Sequence, residues 1–119
     1  MTASDHLSPD QFTTLYHGTS AENAASIANS GLRASDYPHM FPAQWPTTTV
    51  NRQTADAYAS RGPGDRATVE MHIPADKMDE HFWPAQEHMG GGAYAVKKHV
   101  PGEYVRAVHP VHGFVDYPD

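Results

Sequence analysis

The chain contains no cysteine, and that one absence removes disulfide staples, thiolate metal sites and cysteine nucleophiles together. Cationic side chains are also scarce: eight Lys and Arg stand against fourteen Asp and Glu, for a formal net charge of −6. So few cations cannot build the broad basic face that dominates nucleic-acid affinity. This disfavours a DNA-binding module but leaves room for a nucleic-acid substrate gripped locally. Long hydrophobic runs are missing too. The opening MTASDHLSPDQF is polar and reads as neither a signal peptide nor a membrane anchor. The expected location is cytoplasmic, or secreted as an effector without a cleavable signal.

What is present suits one small folded domain. At 119 residues, with 39% apolar and 10% aromatic side chains, the chain can bury a single core and is too rich in rings to stay disordered. Residues 1–11 read as a flexible N-terminal tail and 12–119 as the domain. The run Phe12 to Tyr16 predicts a short strand leading into His17. Thr19 and Glu22 have capping-box spacing, which opens a helix at Ala21, and Gly31 sits where a positive-φ cap would end it. Residues 33–46 read as a loop in which prolines separate Tyr37, Phe41 and Trp45. Thr47 to Val50 favours a strand, Asn51 caps a second helix to about Ser60, and Ala55, Tyr58 and Ala59 share one of its faces.

The second half of the chain reads as strands. Arg66 to Ile73 alternates, with Ala67, Val69, Met71 and Ile73 on one face and Thr68, Glu70 and His72 on the other. Residues 76–92 look irregular, with a helical turn near Asp79 to Phe82 and a triple glycine at 90–92. Three short runs follow: Ala93 to Lys97, Glu103 to Val108 and Val111 to Val115. The pattern predicts an α+β domain: a mostly antiparallel, split sheet wrapped by two short helices.

Three segments carry candidate chemistry. YHGTS, residues 16–20, ends a strand at a histidine and a glycine just before a helix. TTTVNRQTADAYA, residues 47–59, joins a Thr-rich strand to a helix bearing Tyr58. PGEYVRAV, residues 101–108, puts Glu103 at the start of a late strand. In this order they resemble the ADP-ribosyltransferase fold of the diphtheria-toxin and poly(ADP-ribose) polymerase type, described by a His, Tyr, Glu triad. The resemblance covers residues 15–59 and 101–108. It implies that NAD is the substrate, that His17 hydrogen-bonds the nicotinamide-side ribose and that the Gly18 backbone grips the nicotinamide amide. Thr19, Thr47 and Thr48 would line the same pocket, and Tyr58 would stack on the nicotinamide, a pyridinium cation that an aromatic face attracts.

Under the same resemblance Glu103 is the catalytic carboxylate. Breaking the nicotinamide–ribose bond develops oxocarbenium character, and a nearby carboxylate favours that charge. Glu70 and Glu87 are the rival carboxylates. The chain departs from the family at two points. Counting back from Tyr58, the position of the triad tyrosine falls at or next to Thr47, leaving Tyr37, Phe41, Trp45 or Tyr94 to close the pocket. Pro101 stands two before Glu103, where arginine- and asparagine-modifying toxins place Glu or Gln, which makes an arginine acceptor less favoured.

The expected function is mono-ADP-ribosyl transfer to a protein, nucleic acid or small molecule, as a toxin or effector whose expected partner is an antitoxin or immunity protein. The alternatives are an NAD glycohydrolase and a non-catalytic nucleotide- or protein-binding module on the same fold. Nine histidines include no HExxH or other close ligand pair beyond the weak His109, His112 spacing, so no metal is expected.

Overall fold

A computed structural model describes residues 11–33, 47–83 and 93–118. Residues 1–10 of the expected tail over 1–11, the aromatic loop with Tyr37, Phe41 and Trp45, and the segment holding Glu87 and the triple glycine lie outside these residues. Among the described residues there are five strands, β1 (Phe12–Ser20), β2 (Thr47–Thr49), β3 (Arg66–Pro74), β4 (Ala93–Ala95) and β5 (Val105–Val111). The same residues form three α-helices: α1 (Ala21–Ser30), α2 (Arg52–Ser60) and the single-turn α3 (Met78–His81). The sheet runs β4-β2-β1-β3-β5, and every neighbouring pair is antiparallel. The fold is thus α+β as expected, with a third helix where only a helical turn was foreseen.

The central pair β1 and β3 is registered over all nine residues, from Phe12 opposite Pro74 to Ser20 opposite Arg66. Directly opposed residues of an antiparallel pair share a face. One face therefore carries Leu15, His17, Met71, Val69, Ala67 and Ile73, and the other carries Tyr16, Gly18, Thr68, Glu70 and His72. Leu15, Val69, Met71 and Ile73 are fully buried and join Ala24 and Ile27 of α1, Leu32, Phe82, Val96, Val100 and Tyr104 in one core. The period-2 reading of Arg66 to Ile73 is correct residue for residue. At about 1.5–3 kcal/mol per fully buried aliphatic side chain, this face supplies most of the driving force for folding.

α1 starts at Ala21 as expected, but its cap is one residue later than the capping box implied. Ser20, not Thr19, accepts from the Asn23 amide, at 3.1 Å, while Thr19 accepts from the Asn23 side chain at 3.4 Å. At the far end Gly31 has φ 91° and donates its N–H to the Ile27 carbonyl at 2.7 Å, so the chain turns where a side chain is strained. α2 follows its expected bounds, capped by the Asn51 side-chain Oδ1, which accepts from the Thr54 amide at 3.2 Å. It packs on the opposite face of the sheet from α1. A Cβ on Gly18 would stand 2.2 Å from the Ala55 carbonyl and 3.0 Å from the Ala59 Cβ, so the missing side chain lets α2 rest directly on β1. Thr68 Oγ1 donates to Asp56 at 2.6 Å and Arg66 Nε to the Ala59 carbonyl at 2.6 Å, tying α2 to β3 as well.

Two strand expectations need correction. The expected run Glu103–Val108 becomes the strand Val105–Val111, entered through a 3-10 turn at Gly102–Tyr104, while the expected run Val111–Val115 forms no strand beyond Val111. Pro110 does not end β5, which is an edge strand, where proline is tolerated. Beyond it the chain doubles back over α2. Val115 N donates to Ser60 Oγ at 3.1 Å, and Arg61 is sandwiched between the rings of Phe114 at 4.5 Å and Tyr117 at 4.2 Å.

Candidate functional site

YHGTS lies in the last five residues of the central strand, and alternation sends its two signature residues apart. Gly18 faces α2, whereas His17 is on the face of Leu15 and α1. The close approach that Gly18 permits is taken up by the Ala55 carbonyl.

β1 and β2 are registered at a single pair, Tyr16 with Thr49, while β2 and β4 are registered over three. The Tyr16–Thr49 pair places β2 alongside the half of β1 that carries YHGTS. That register carries Thr48 to the side of His17 and, across the next strand, Tyr94 to the side of Thr48. Thr48 is buried and its hydroxyl donates to the Tyr94 carbonyl at 2.9 Å, so it is committed within the sheet. Thr47 pairs with Ala95 through the backbone. Of the aromatic residues expected to close a nicotinamide pocket, Tyr94 is the one among the described residues, and it packs against the core.

Tyr58 projects from α2 with 63% of its surface exposed, which rules out a core ring packed between helix and sheet. The face it was expected to share is instead formed by Ala55, Ala57 and Ala59, all buried. Glu103 is exposed on the 3-10 turn leading into β5, anchored by the buried Tyr104 that follows it. Val105 lies opposite Met71, and Met71 opposite Leu15. At about 3.3 Å per residue and about 4.8 Å per strand, Glu103 then stands roughly 15 Å from His17. Fully buried Leu15 and Met71 fill the space between them on that face. The register brings His17 and Thr48 to neighbouring positions of β1 and β2, puts Gly18 against the Tyr58-bearing helix on the other face, and leaves Glu103 apart.

On the α2 side lies a cluster of which the sequence showed only Glu70 and His72 together. Glu70 Oε2 takes a hydrogen bond from His72 Nε2 at 2.9 Å, and its Oε1 one from His109 Nε2 at 2.8 Å. The three side chains retain 22%, 19% and 27% of their exposure, so the cluster is partly screened and still reachable. His72 is held flat against Phe12, with ring centroids 4.4 Å apart and planes 11° from parallel. Burial raises the Glu70 pKa, but the hydrogen bonds from His109 and His72, and then their charges, outweigh it and hold the carboxyl below its ordinary value. Tyr16 stands opposite Glu70, and burial followed by the Glu70 charge pushes its hydroxyl above the usual tyrosine value. Its α2 neighbours are Arg52 and Asp56, paired at 3.6 Å.

The visible signal for the cluster was Glu70 and His72 two apart on one face of a strand. His109 joins them only through the register of β5, which shifts at a bulge between Glu70 and Met71. Among the described residues, no group of three or more His, Cys, Asp or Glu side chains is placed to hold a metal ion, and no helix is long and apolar enough to cross a membrane. No protein-family model and no curated protein sequence matches the chain.

Proposed function

We propose that the protein cleaves NAD at its nicotinamide–ribose bond and transfers the ADP-ribose to an acceptor. What supports this reading is the nearness of Thr48 on β2 to His17 on β1, next to Gly18, on which the Tyr58-bearing helix α2 packs. NAD lies along this β1–β2 edge: His17 binds the nicotinamide-side ribose, the Gly18 backbone and Thr19 hold the amide end, Tyr58 covers the ring, and Thr47 and Thr48 wall the strand opposite. Glu103 is the carboxylate that favours the cationic ribose, reaching it around the sheet end rather than through the packed core. The acceptor is a macromolecule or a small molecule. With water in that role the protein is an NAD glycohydrolase.

The roughly 15 Å between Glu103 and His17 favours a second reading, a module on the same fold that binds nucleotides or a protein without turnover. Nicotinamide release from NAD by the purified protein separates the two. Release that is lost in Glu103→Ala supports the transferase, and label transferred from NAD into protein, RNA or small-molecule fractions of a lysate identifies the acceptor. Saturable NAD binding with no nicotinamide released in any of these conditions supports the module.

A further inference from the structure

We infer that the outer face of α2 is a receptor for an extended chain segment, and that the C-terminal strap which occupies it here is exchanged with the strap of a second copy. The product is a strap-exchanged dimer. The inference is independent of the NAD reading.

The receptor is a stripe of the helix. Gln53, Ala57, Ser60 and Arg61 fall at helical spacing on one side of α2, away from the Ala55 and Ala59 that meet Gly18. Residues 112–118 pass over this stripe with no helix or strand of their own. Both backbone groups of Val115 are taken by the helix: its N–H donates to Ser60 Oγ at 3.1 Å, and its carbonyl accepts from Arg61 Nη1 at 3.0 Å. Gln53 Nε2 donates to the Asp116 carbonyl at 3.1 Å. The Arg61 guanidinium lies over the rings of both Phe114 and Tyr117. Each of these contacts joins α2 to the strap alone, so none depends on which copy's β5 the strap follows.

The strap is also held lightly. No residue from 112 to 118 is buried, and Phe114 and Tyr117 keep 68% and 46% of their exposure. A segment fixed by exposed hydrogen bonds and cation–π contacts, with no apolar anchor, opens at a small fraction of the cost of global unfolding. On a second copy it remakes the same bonds, which is why exchange of an identical element is a low-cost route to a dimer.

The hinge sets the balance. Only His112 and Gly113 separate the end of β5 from Phe114. Gly113 has φ 72°, in the left-handed region, and among the described residues nothing lies within 4 Å of a Cβ built on it. A side chain there meets backbone strain and no clash. An exchanged strap leaves β5 through an extended hinge at negative φ, which relieves that strain in both chains. Glycine thus favours the closed monomer, in which the strap's effective concentration at its own helix is on the order of millimolar. Two copies of net charge −6 also repel, and salt screens that repulsion.

The test is sedimentation equilibrium of the full chain from micromolar to millimolar concentration. Wild type should dimerise only toward the millimolar end, and more strongly as salt is raised. Gly113→Val should dimerise about 100-fold more tightly, because each dimer relieves two strained hinges. Adding Arg61→Ala, which removes the guanidinium from the two rings, should return that variant to monomer. A Gly113→Val protein that stays monomeric at millimolar concentration, or whose dimer survives Arg61→Ala, overturns the proposal. If Gly113→Val fails to fold, a millimolar mixture of isotope-labelled and unlabelled wild type gives the answer. Contacts between the Tyr117 ring of one copy and the Arg61 side chain of another are expected, and their absence overturns the proposal. NAD enters none of these readouts, so failure here leaves the transferase reading intact.

Discussion

Replacing Gly18 by alanine tests whether this glycine serves the packing of α2. The added Cβ would stand 2.2 Å from the Ala55 carbonyl oxygen and 3.0 Å from both the nitrogen and Cβ of Ala59. An ordinary Cβ contact is about 3.4–4 Å, so the helix must retreat by more than 1 Å. Backbone atoms cannot rotate away as a side chain can. α2 is also tied down by Thr68 to Asp56 and Arg66 to Ala59, so its retreat strains two 2.6 Å hydrogen bonds. Overpacking of this kind costs typically 1–3 kcal/mol, and the backbone clash puts Gly18→Ala near the upper end. For a domain of this size that is a fall in Tm of roughly 10 °C. Urea unfolding with a fitted m-value is the assay. A Gly18→Ala protein within about 0.5 kcal/mol of wild type would show that the helix does not need this glycine, and the α2–β1 contact would have to be redrawn.

Thr68→Val keeps the buried volume but removes the donor to Asp56, and should cost about 1–2 kcal/mol in the same urea titration. Arg61→Ala opens the sandwich with Phe114 and Tyr117 and should release the C-terminal segment. The cost is about 1–2 kcal/mol, read as faster amide exchange over residues 112–118 with β3 unaffected. Glu70 has a folded pKa below its unfolded value, so its hydrogen-bonded form contributes stability above the unfolded value near 4.5, and that contribution is lost as pH falls through the folded pKa. The stability gap between wild type and Glu70→Gln should therefore be present at pH 7 and shrink as pH drops below about 4.5. A gap independent of pH would refute the assigned ionisation.

Local chemistry was legible where one residue type dominates its neighbourhood. Asn51 as a cap set the start of α2, and the alternation of Ala67, Val69, Met71 and Ile73 identified the buried face of β3 before any register was known. The misreadings came from long-range packing. Pro110 looked like a break because its tolerance depends on β5 lying at the sheet edge, and edge position is a property of topology. Helical spacing put Tyr58 on one face with Ala55 and Ala59, yet Gly18 brings α2 so close to the sheet that alanines line its buried face and Tyr58 is left exposed. In the candidate site, Glu70 and His72 could be seen together on a strand face. Their partner His109 lies 39 residues away, and a bulge sets its position.

The central claim is that NAD binds beside His17 and Thr48 at the β1–β2 edge, and amide chemical shifts followed during an NAD titration test it most directly. The account predicts saturable shifts concentrated at His17, Gly18 and Thr48, with Tyr58 ring protons moving in step and β5 residues 108–111 quiet. Millimolar NAD that moves none of these signals, or that moves only residues remote from the β1–β2 edge, would contradict it.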